Sequence, residues 1–355
     1  MKVPWGFMIR VKVHRVEDAV PKTKLSAQGD KTMKKIWLVL MGVMAFGLTL
    51  LGAEKDFAAE KYPTKPINVI IAFQPGDTDI NLRPFIEKMP EYLGQPMTFM
   101  YKPGAGGALG AGIVVSSKPD GYNILGSTQS AMVILPLTQK NVTYTLESFA
   151  PICCLCESYS MLLVKSNARW KKLPELVAEA QKEPGKISFT SPGTLAIQHL
   201  LVEAFSKEAR IKLNHIPAQG SGPAVTALLG GHVDMAVGSL TTAMPHIQAG
   251  TIRPIGIFAR KRIKALPDSP TVSEQGYAVA TTLIYGLVGP KGTPKEVIDA
   301  ISSAARRVAE KDRSLLLERY GKLGVELLFQ GPEEYGAALQ NQHVFFEKVV
   351  KDVAK

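Results

Sequence analysis

The sequence predicts an α/β protein of two lobes, with mixed, mainly parallel sheets on either side of a hinged cleft. Three observations carry this reading. From Ile67 onward, short β-rich runs alternate with helix-length amphipathic ones, the rhythm of βαβ units. After Leu146 the rhythm breaks into two extended runs, "FAPICCLCESYSMLLVK", and at "ISFTS" it begins again.

In the first set "INVIIAF" precedes an amphipathic stretch from Ile80 to Leu93, "MTFMY" precedes one from Ala108 to Ser116, and "YNILGST" precedes a helix opening at Ala131. The two runs after Leu146, parted by a polar break at Glu157 to Ser160, read as a crossing between lobes. In the second set "ISFTS" leads to a helix from Leu195 to Ser206, "LNHIPA" to one from Pro223 to Leu229, and "VDMAVGS" to one from Ala243 to Gln248, before "IRPIGIF". "LPDSPTVSEQGY" reads as a loop with a short helix and "LIYGLVGP" as a strand. Pro294 to Lys311 is an amphipathic helix with proline in its first turn, and "GPEEYGAALQNQHVFFEKVVKDVA" is a long closing helix. A strand and helices after the second set imply a return to the first lobe. Lobe 1 is therefore expected at 60–158 plus 283–355, and lobe 2 at 159–282.

A hydrophobic content of 46% with 21% charged residues supports a sizeable core. Met33 to Ala53, "MKKIWLVLMGVMAFGLTLLGA", has two lysines, an apolar run and then small residues, the pattern of a secretory signal. The alternative is a retained anchor, although the run falls short of the roughly 20 residues that span a bilayer. Residues 33–59 are read as the signal peptide, cleaved between Ala53 and Ala59, which places the mature protein in the periplasm. Residues 1–32 would bury that signal inside the chain and are read as a non-native extension.

The formal charge of +11 falls to +5 once residues 1–53 are set aside. With no arginine-rich helix and no interleaving of basic and aromatic residues, nucleic-acid binding is excluded. Cys153, Cys154 and Cys156 in "PICCLCES" are too close to bridge without strain and lack a second ligand cluster, so they read as small apolar strand residues.

Chemistry concentrates in glycine turns at the carboxyl ends of predicted strands, where ligands of open α/β sheets bind. "QPGDTD" follows the first strand, with Gly76 free to take positive φ and Thr78 or Asp79 able to cap the next helix. "KPGAGGALGAG" follows the second; Gly104, Gly106 and Gly107 give backbone access, and Gly110 and Gly112 let the helix pack closely. "TSPGTLAIQHLL" offers a third such turn in the other lobe, with Ser191, Gly193 and Thr194, the last placed as N-cap. Helix-start amides attract anions, so a ligand with acidic ends suits a bridge between the lobes.

Six ordered blocks now carry a resemblance: "YPTKPINVIIAFQPGDTDINLR", "LGQPMTFMYKPGAGGALGA", "KPDGYNILGST", "HIPAQGSGPAVTALLGGHVDMAV", "AGTIRPIGIFARKRIKALPDSPTVSEQGY" and "GPKGTPKEVIDAI". Together, from about Tyr62 to the C-terminus, the chain resembles the extracytoplasmic solute-binding receptors of tripartite tricarboxylate transporters, the Bug receptors. The resemblance implies a type II-like periplasmic binding protein that closes on a small carboxylate and presents it to membrane permease subunits. It also implies the ligand contacts: Gln74, Gly76, Asp77, Thr78 and Asp79 with Gly104, Ala105, Gly106 and Gly107 at one end, and Ser191, Gly193 and Thr194 at the other. Ser127, Thr128 and Ser130, with Ala218 and Gln219, line the cleft on the same basis. His199 sits inside its helix and reads as a packed or supporting residue.

"PGDTD" departs from the family pattern by one missing residue and by Asp77 in place of a small residue. A carboxylate beside an anion site repels the anion unless it points away or takes a proton. Asp77 is therefore expected to alter selectivity.

The dinucleotide fingerprint fails at Leu109, and no nucleophile elbow, Walker loop or H-E-x-x-H is present, which argues against an enzyme. No cofactor and no metal are expected, and the chain is read as a monomer. A sensory receptor reporting to a membrane signalling partner is the alternative class, and the ligand itself stays open. N-terminal sequencing of the exported protein is expected to find no residue from 1–32; any such residue would contradict Met33 as the start.

Overall fold

The computed structural model describes residues 62–353; the proposed extension, signal segment and cleavage site lie outside the described residues. The first set of elements is β1 (Ile67–Ile71), α1 (Asp77–Ile86), β2 (Met97–Tyr101), α2 (Ala108–Val115), β3 (Asn123–Thr128) and β4 (Phe149–Ser158). The second runs β5 (Ser160–Lys165), α3 (Leu173–Lys182), β6 (Ser188–Thr190), α4 (Ile197–Ala209), β7 (Asn214–His215), α5 (Ser221–Leu229), β8 (Met235–Ser239), α6 (Leu240–Gln248) and β9 (Ile252–Ile257). The chain closes with β10 (Leu283–Pro290), α7 (Lys295–Lys311), α8 (Arg313–Leu323), β11 (Glu326–Gln330) and α9 (Pro332–Val353).

Two sheets result, one in the order β11-β4-β10-β3-β1-β2 and one in the order β7-β6-β8-β5-β9. In the first sheet β1 to β4 point one way, and β10 and β11 run against them. In the second, β5 alone opposes β6 to β9. The β-branched runs explain the central strands: "INVII" of β1 is buried at nearly every position because helices cover both faces. Helix α7 turns Val297, Ile301, Ala304, Ala305 and Val308 inward at three- and four-residue spacing. Among the described residues no helix is long and apolar enough to cross a membrane.

The expected strands fall where the β-rich runs place them, while the helix boundaries differ from those expected. Helix α1 starts at Asp77 and stops at Ile86, earlier at both ends than the expected stretch from Ile80 to Leu93. Thr194 caps nothing: α4 begins at Ile197 with Ala196 in the N-cap position, so His199 lies in the helix's first turn. Pro294 is the N-cap of α7 and not part of its first turn. Helices α3 and α8 and strand β11 were not anticipated.

The three cysteines are unbridged and buried in β4. Cys156 Sγ donates to Asn81 O at 3.5 Å, and burial pushes the Cys154 thiol up to about 12. They pack as apolar residues and are not reactive thiolates.

Gly110 lets α2 rest directly on the strand ends. A Cβ there would lie 2.7 Å from Ala72 Cα and 2.9 Å from Lys102 O, in backbone leaving β1 and β2 respectively. Gly112 does not share this role, because nothing lies within 4 Å of its missing side chain. Gly110→Ala is therefore expected to cost about 1–3 kcal/mol and lower the melting temperature by several degrees. Gly112→Ala should be neutral or stabilising by up to about 1 kcal/mol. Thermal melts of the two variants check the contrast.

Candidate functional site

Strand β4 ends at Ser158 and β5 begins at Ser160, so Tyr159 alone joins the two sheets at this crossing. The other crossing leaves the carboxyl end of β9 and enters β10, which starts at the edge where β1 to β4 end. Both crossings thus join the same two edges, and the carboxyl ends of both sets of strands face one another. Turns after β1, β2 and β3 lie on adjacent strands on one side, and turns after β6, β7 and β8 lie on adjacent or near-adjacent strands on the other.

The first turn is built around Gly76, whose φ of 154° is closed to residues with a side chain. Asp79 Oδ1 accepts from Gly76 N at 2.6 Å, while its Oδ2 accepts from Arg83 Nη2 at 2.9 Å and Tyr101 Oη at 3.0 Å. Asp79 therefore shapes the turn from beneath, with both carboxylate oxygens already bonded. The Asp77 and Thr78 amides open α1 and donate to nothing among the described residues. Gln74 is exposed at the rim, and Thr78 is buried.

Asp77 points away from those amides. Its Oδ1 accepts from Ser239 Oγ at 2.6 Å, at the end of β8 across the cleft, and its Oδ2 accepts from Tyr285 Oη at 2.6 Å on β10. One turn further along α1, Asn81 Oδ1 accepts from Thr241 Oγ1 at 3.1 Å. Burial raises the Asp77 carboxyl above its ordinary value, against the lowering effect of the bonds from Ser239, Tyr285 and Asn81, and nearby Asp79 raises it further.

In the second turn Gly104, Ala105 and Gly106 are exposed and Gly107 is buried. The amides of Ala105 and Gly106 make no hydrogen bond among the described residues, and Gly107 N donates to Gly104 O at 2.9 Å. After β3, Thr128 Oγ1 accepts from Ser130 N at 3.2 Å, and the buried Ser127 hydroxyl has no partner within the described protein. Gln129 bolts this turn to the return crossing, donating to Thr282 O at 2.6 Å and accepting from Ile284 N at 3.1 Å.

In the second lobe two predicted segments meet: Ala218 N donates to Ser191 O, and Gly220 N to Pro192 O, each at 2.9 Å. The Gly193 and Thr194 amides donate to nothing among the described residues, whereas the Ala218 amide is already bonded. Gln219 is exposed beside them. Among the described residues three non-glycine residues adopt left-handed backbone, and two of them, Ala105 at φ 49° and Leu195 at φ 58°, fall in these candidate turns. Each costs about 1–2 kcal/mol, strain that tends to collect at binding sites.

Ser239, Thr241, Tyr285, Gln129 and His215 escaped the sequence reading. Ser239 alone carried a usable signal, standing between a strand and a helix as Ser191 does. A cavity of about 550 Å³ lies elsewhere, lined by Glu157, Tyr159, Arg260, Lys261, Thr282 and Gln342. None of the predicted site residues lines it. The unbonded amides, and not this cavity, mark the candidate site.

A hinged pair of α/β lobes with unbonded backbone amides at facing strand ends defines a solute-binding clamshell. Comparison with known proteins agrees: the chain belongs to the tripartite tricarboxylate transporter family receptors, whose family model matches residues 82–351. A protein of Cupriavidus necator described as "UPF0065 protein in gbd 5'region" is 32% identical over 294 residues, 82% of this chain and 88% of that one. Protein BugT of Bordetella pertussis is 30% identical over 263 residues, 73% of this chain and 81% of its own. The solved structure of the periplasmic binding protein BugD superposes with a TM-score of 0.75 at 29% identity, covering 82% of this chain and 99% of that one.

Asp77 and Ser239 should be energetically coupled. A double-mutant cycle of Asp77→Ala and Ser239→Ala, read by denaturant unfolding, is expected to give about 1–3 kcal/mol; additivity would show the contact carries no energy. A raised carboxyl pKa means the folded state holds the proton more tightly than the unfolded chain. That stability is present below the ordinary value of 3.8 and is lost as pH rises through the raised value. The wild-type melting temperature, relative to Asp77→Asn, is thus expected to fall as pH rises from about 4 to about 7.

Proposed function

We propose that this protein is a periplasmic receptor that captures a small carboxylate between its lobes and delivers it, unchanged, to the membrane permease of a tripartite tricarboxylate transporter. Lobe 1 comprises 60–158 and 283–355, lobe 2 comprises 159–282, and the signal segment 33–59 directs export. One observation carries the reading: unbonded amides at Asp77–Thr78, Ala105–Gly106 and Gly193–Thr194 stand at carboxyl strand ends that face each other. Such groups bind a carboxylate without needing a basic side chain, and at Asp77–Thr78 the dipole of α1 adds about 0.3–1 kcal/mol.

Gln74, Gly76, Asp77, Thr78 and Asp79 with Gly104 to Gly107 form the first-lobe end of the site. Ser127, Thr128 and Ser130 form its wall, and Ser191, Gly193, Thr194, Ala218 and Gln219 its far end. Within this set Asp77 and Asp79 act through geometry, since their oxygens already accept bonds from protein donors. Asp77 alters selectivity by fixing how the lobes meet. Ser191 is a site hydroxyl beside a histidine, 2.8 Å from His215 Nε2, but it donates to Gly193 O at 3.0 Å and is read as a structural donor rather than a nucleophile, so the ligand leaves as it arrived.

A thermal-shift screen of C4 to C6 dicarboxylates, citrate, aromatic acids and amino acids tests the proposal. At a hundredfold excess over Kd a ligand should add about 2.7 kcal/mol, a rise on the order of 5 °C. Failure of every carboxylate to raise the melting temperature, or turnover of a binder, would overturn it.

A further inference from the structure

Two histidines lie directly beneath the second-lobe turn. His199 is 8% exposed, and its ring stacks on that of His215 at 3.9 Å between centroids and 19° between planes. Phe189 closes the stack, 4.8 Å from the His215 ring. The two residues come from different elements: His199 from the first turn of α4, and His215 from β7, where it pairs with Phe189 of β6.

Each ring reaches one end of the turn with a different nitrogen. His215 Nε2 lies 2.8 Å from Ser191 Oγ, which in turn lies 3.0 Å from Gly193 O. A hydroxyl has one proton. Both contacts are satisfied when His215 carries its proton on Nε2 and donates to Ser191, and Ser191 donates to Gly193 O. At the other end His199 Nδ1 accepts from the Leu195 amide at 3.0 Å. Its proton is then on Nε2, which faces Glu203 Oε1 at 3.4 Å. Leu195 is one of the residues held in left-handed backbone, so this bond fixes a conformation the chain would otherwise leave.

We propose that His199 and His215 are positioning residues for the turn Ser191–Thr194, a stacked pair whose Nδ1 and Nε2 atoms brace its two ends and hold the Gly193 and Thr194 amides toward the cleft. Its functional half rests on the proposed carboxylate site; the brace itself does not. Burial and neighbouring His199 hold His215 down to about 4, so the stack carries no charge from that ring near neutral pH.

The two contacts predict opposite patterns of rescue. Asparagine places an acceptor where Nδ1 stands and glutamine places an amide where Nε2 stands, so His199→Asn should replace His199 and His199→Gln should not. At position 215 glutamine should serve and asparagine should not. Hydrogen exchange of the free protein reads this: the Leu195 amide should exchange about tenfold faster in His199→Gln, and within about twofold of wild type in His199→Asn. Nitrogen NMR should show His199 with an unprotonated Nδ1. Equal exchange in the two His199 variants, or a protonated Nδ1, would overturn the brace.

Equilibrium dialysis with citrate, L-malate and adipate reads the functional half, with the poorly rescued variants expected to lose about tenfold in affinity for any acid that binds. If neither these three nor any acid of the thermal-shift panel binds the wild-type protein, the proposed function fails and the exchange rates alone decide the brace. Binding unchanged in variants whose Leu195 amide exchanges faster would overturn the positioning role.

Discussion

The single residue between β4 and β5 is the constraint from which the rest of the structure follows. A strand advances about 3.3 Å per residue, so a one-residue crossing leaves the two sheets no room to slide apart or turn over. The second crossing is longer but tied down: Phe258 N donates to Ser160 O, and Thr281 N to Phe258 O. Gln129 then fastens its end to the turn after β3. What freedom remains is rotation about the crossings. Rotation changes the distance between facing strand ends while leaving each lobe's turns intact.

Across that hinge the contacts of the candidate site are polar. Asp77 with Ser239 and Asn81 with Thr241 join α1 to the start of α6, and each replaces bonds that water would otherwise supply. Such exchanges are worth about 0.5–1.5 kcal/mol each, more where a charge takes part. On the proposed function, polar contacts of this size are ones a ligand's binding energy can make or break. An apolar seal in the same place would hold the lobes shut with or without a ligand.

The sheet architecture was legible because strand and helix periods are local. "INVII" announces a buried strand and "MTFMY" a strand that proves to be a half-exposed edge, and glycine between strand and helix announces the turns. The ends of the helices were less legible, since a cap depends on which residue the chain happens to bend at. Thr194 has the right chemistry for a cap, yet the strained backbone at Leu195 delays the helix to Ile197. Partners across the fold were not legible at all. Asp77 finds Ser239 at a separation of 162 residues and Tyr285 at 208. Nothing local distinguishes that carboxylate from one aimed at the ligand.

The same point bears on how selectivity would arise. Unbonded backbone amides recognise a carboxylate by charge and geometry, and they do so alike for a C4 acid, a C6 acid or an aromatic one. Discrimination must come from the span between the two sets of amides when the lobes meet. On the proposed function that span is set where α1 touches α6, at Asp77, Asn81, Ser239 and Thr241, and by how firmly the far turn is held. A ligand too long for the closed form binds only the open one, and its apparent affinity falls with the fraction of competent protein. An acidic residue that by charge alone would repel the ligand then acts on selectivity through distance, from a position where its oxygens never meet it.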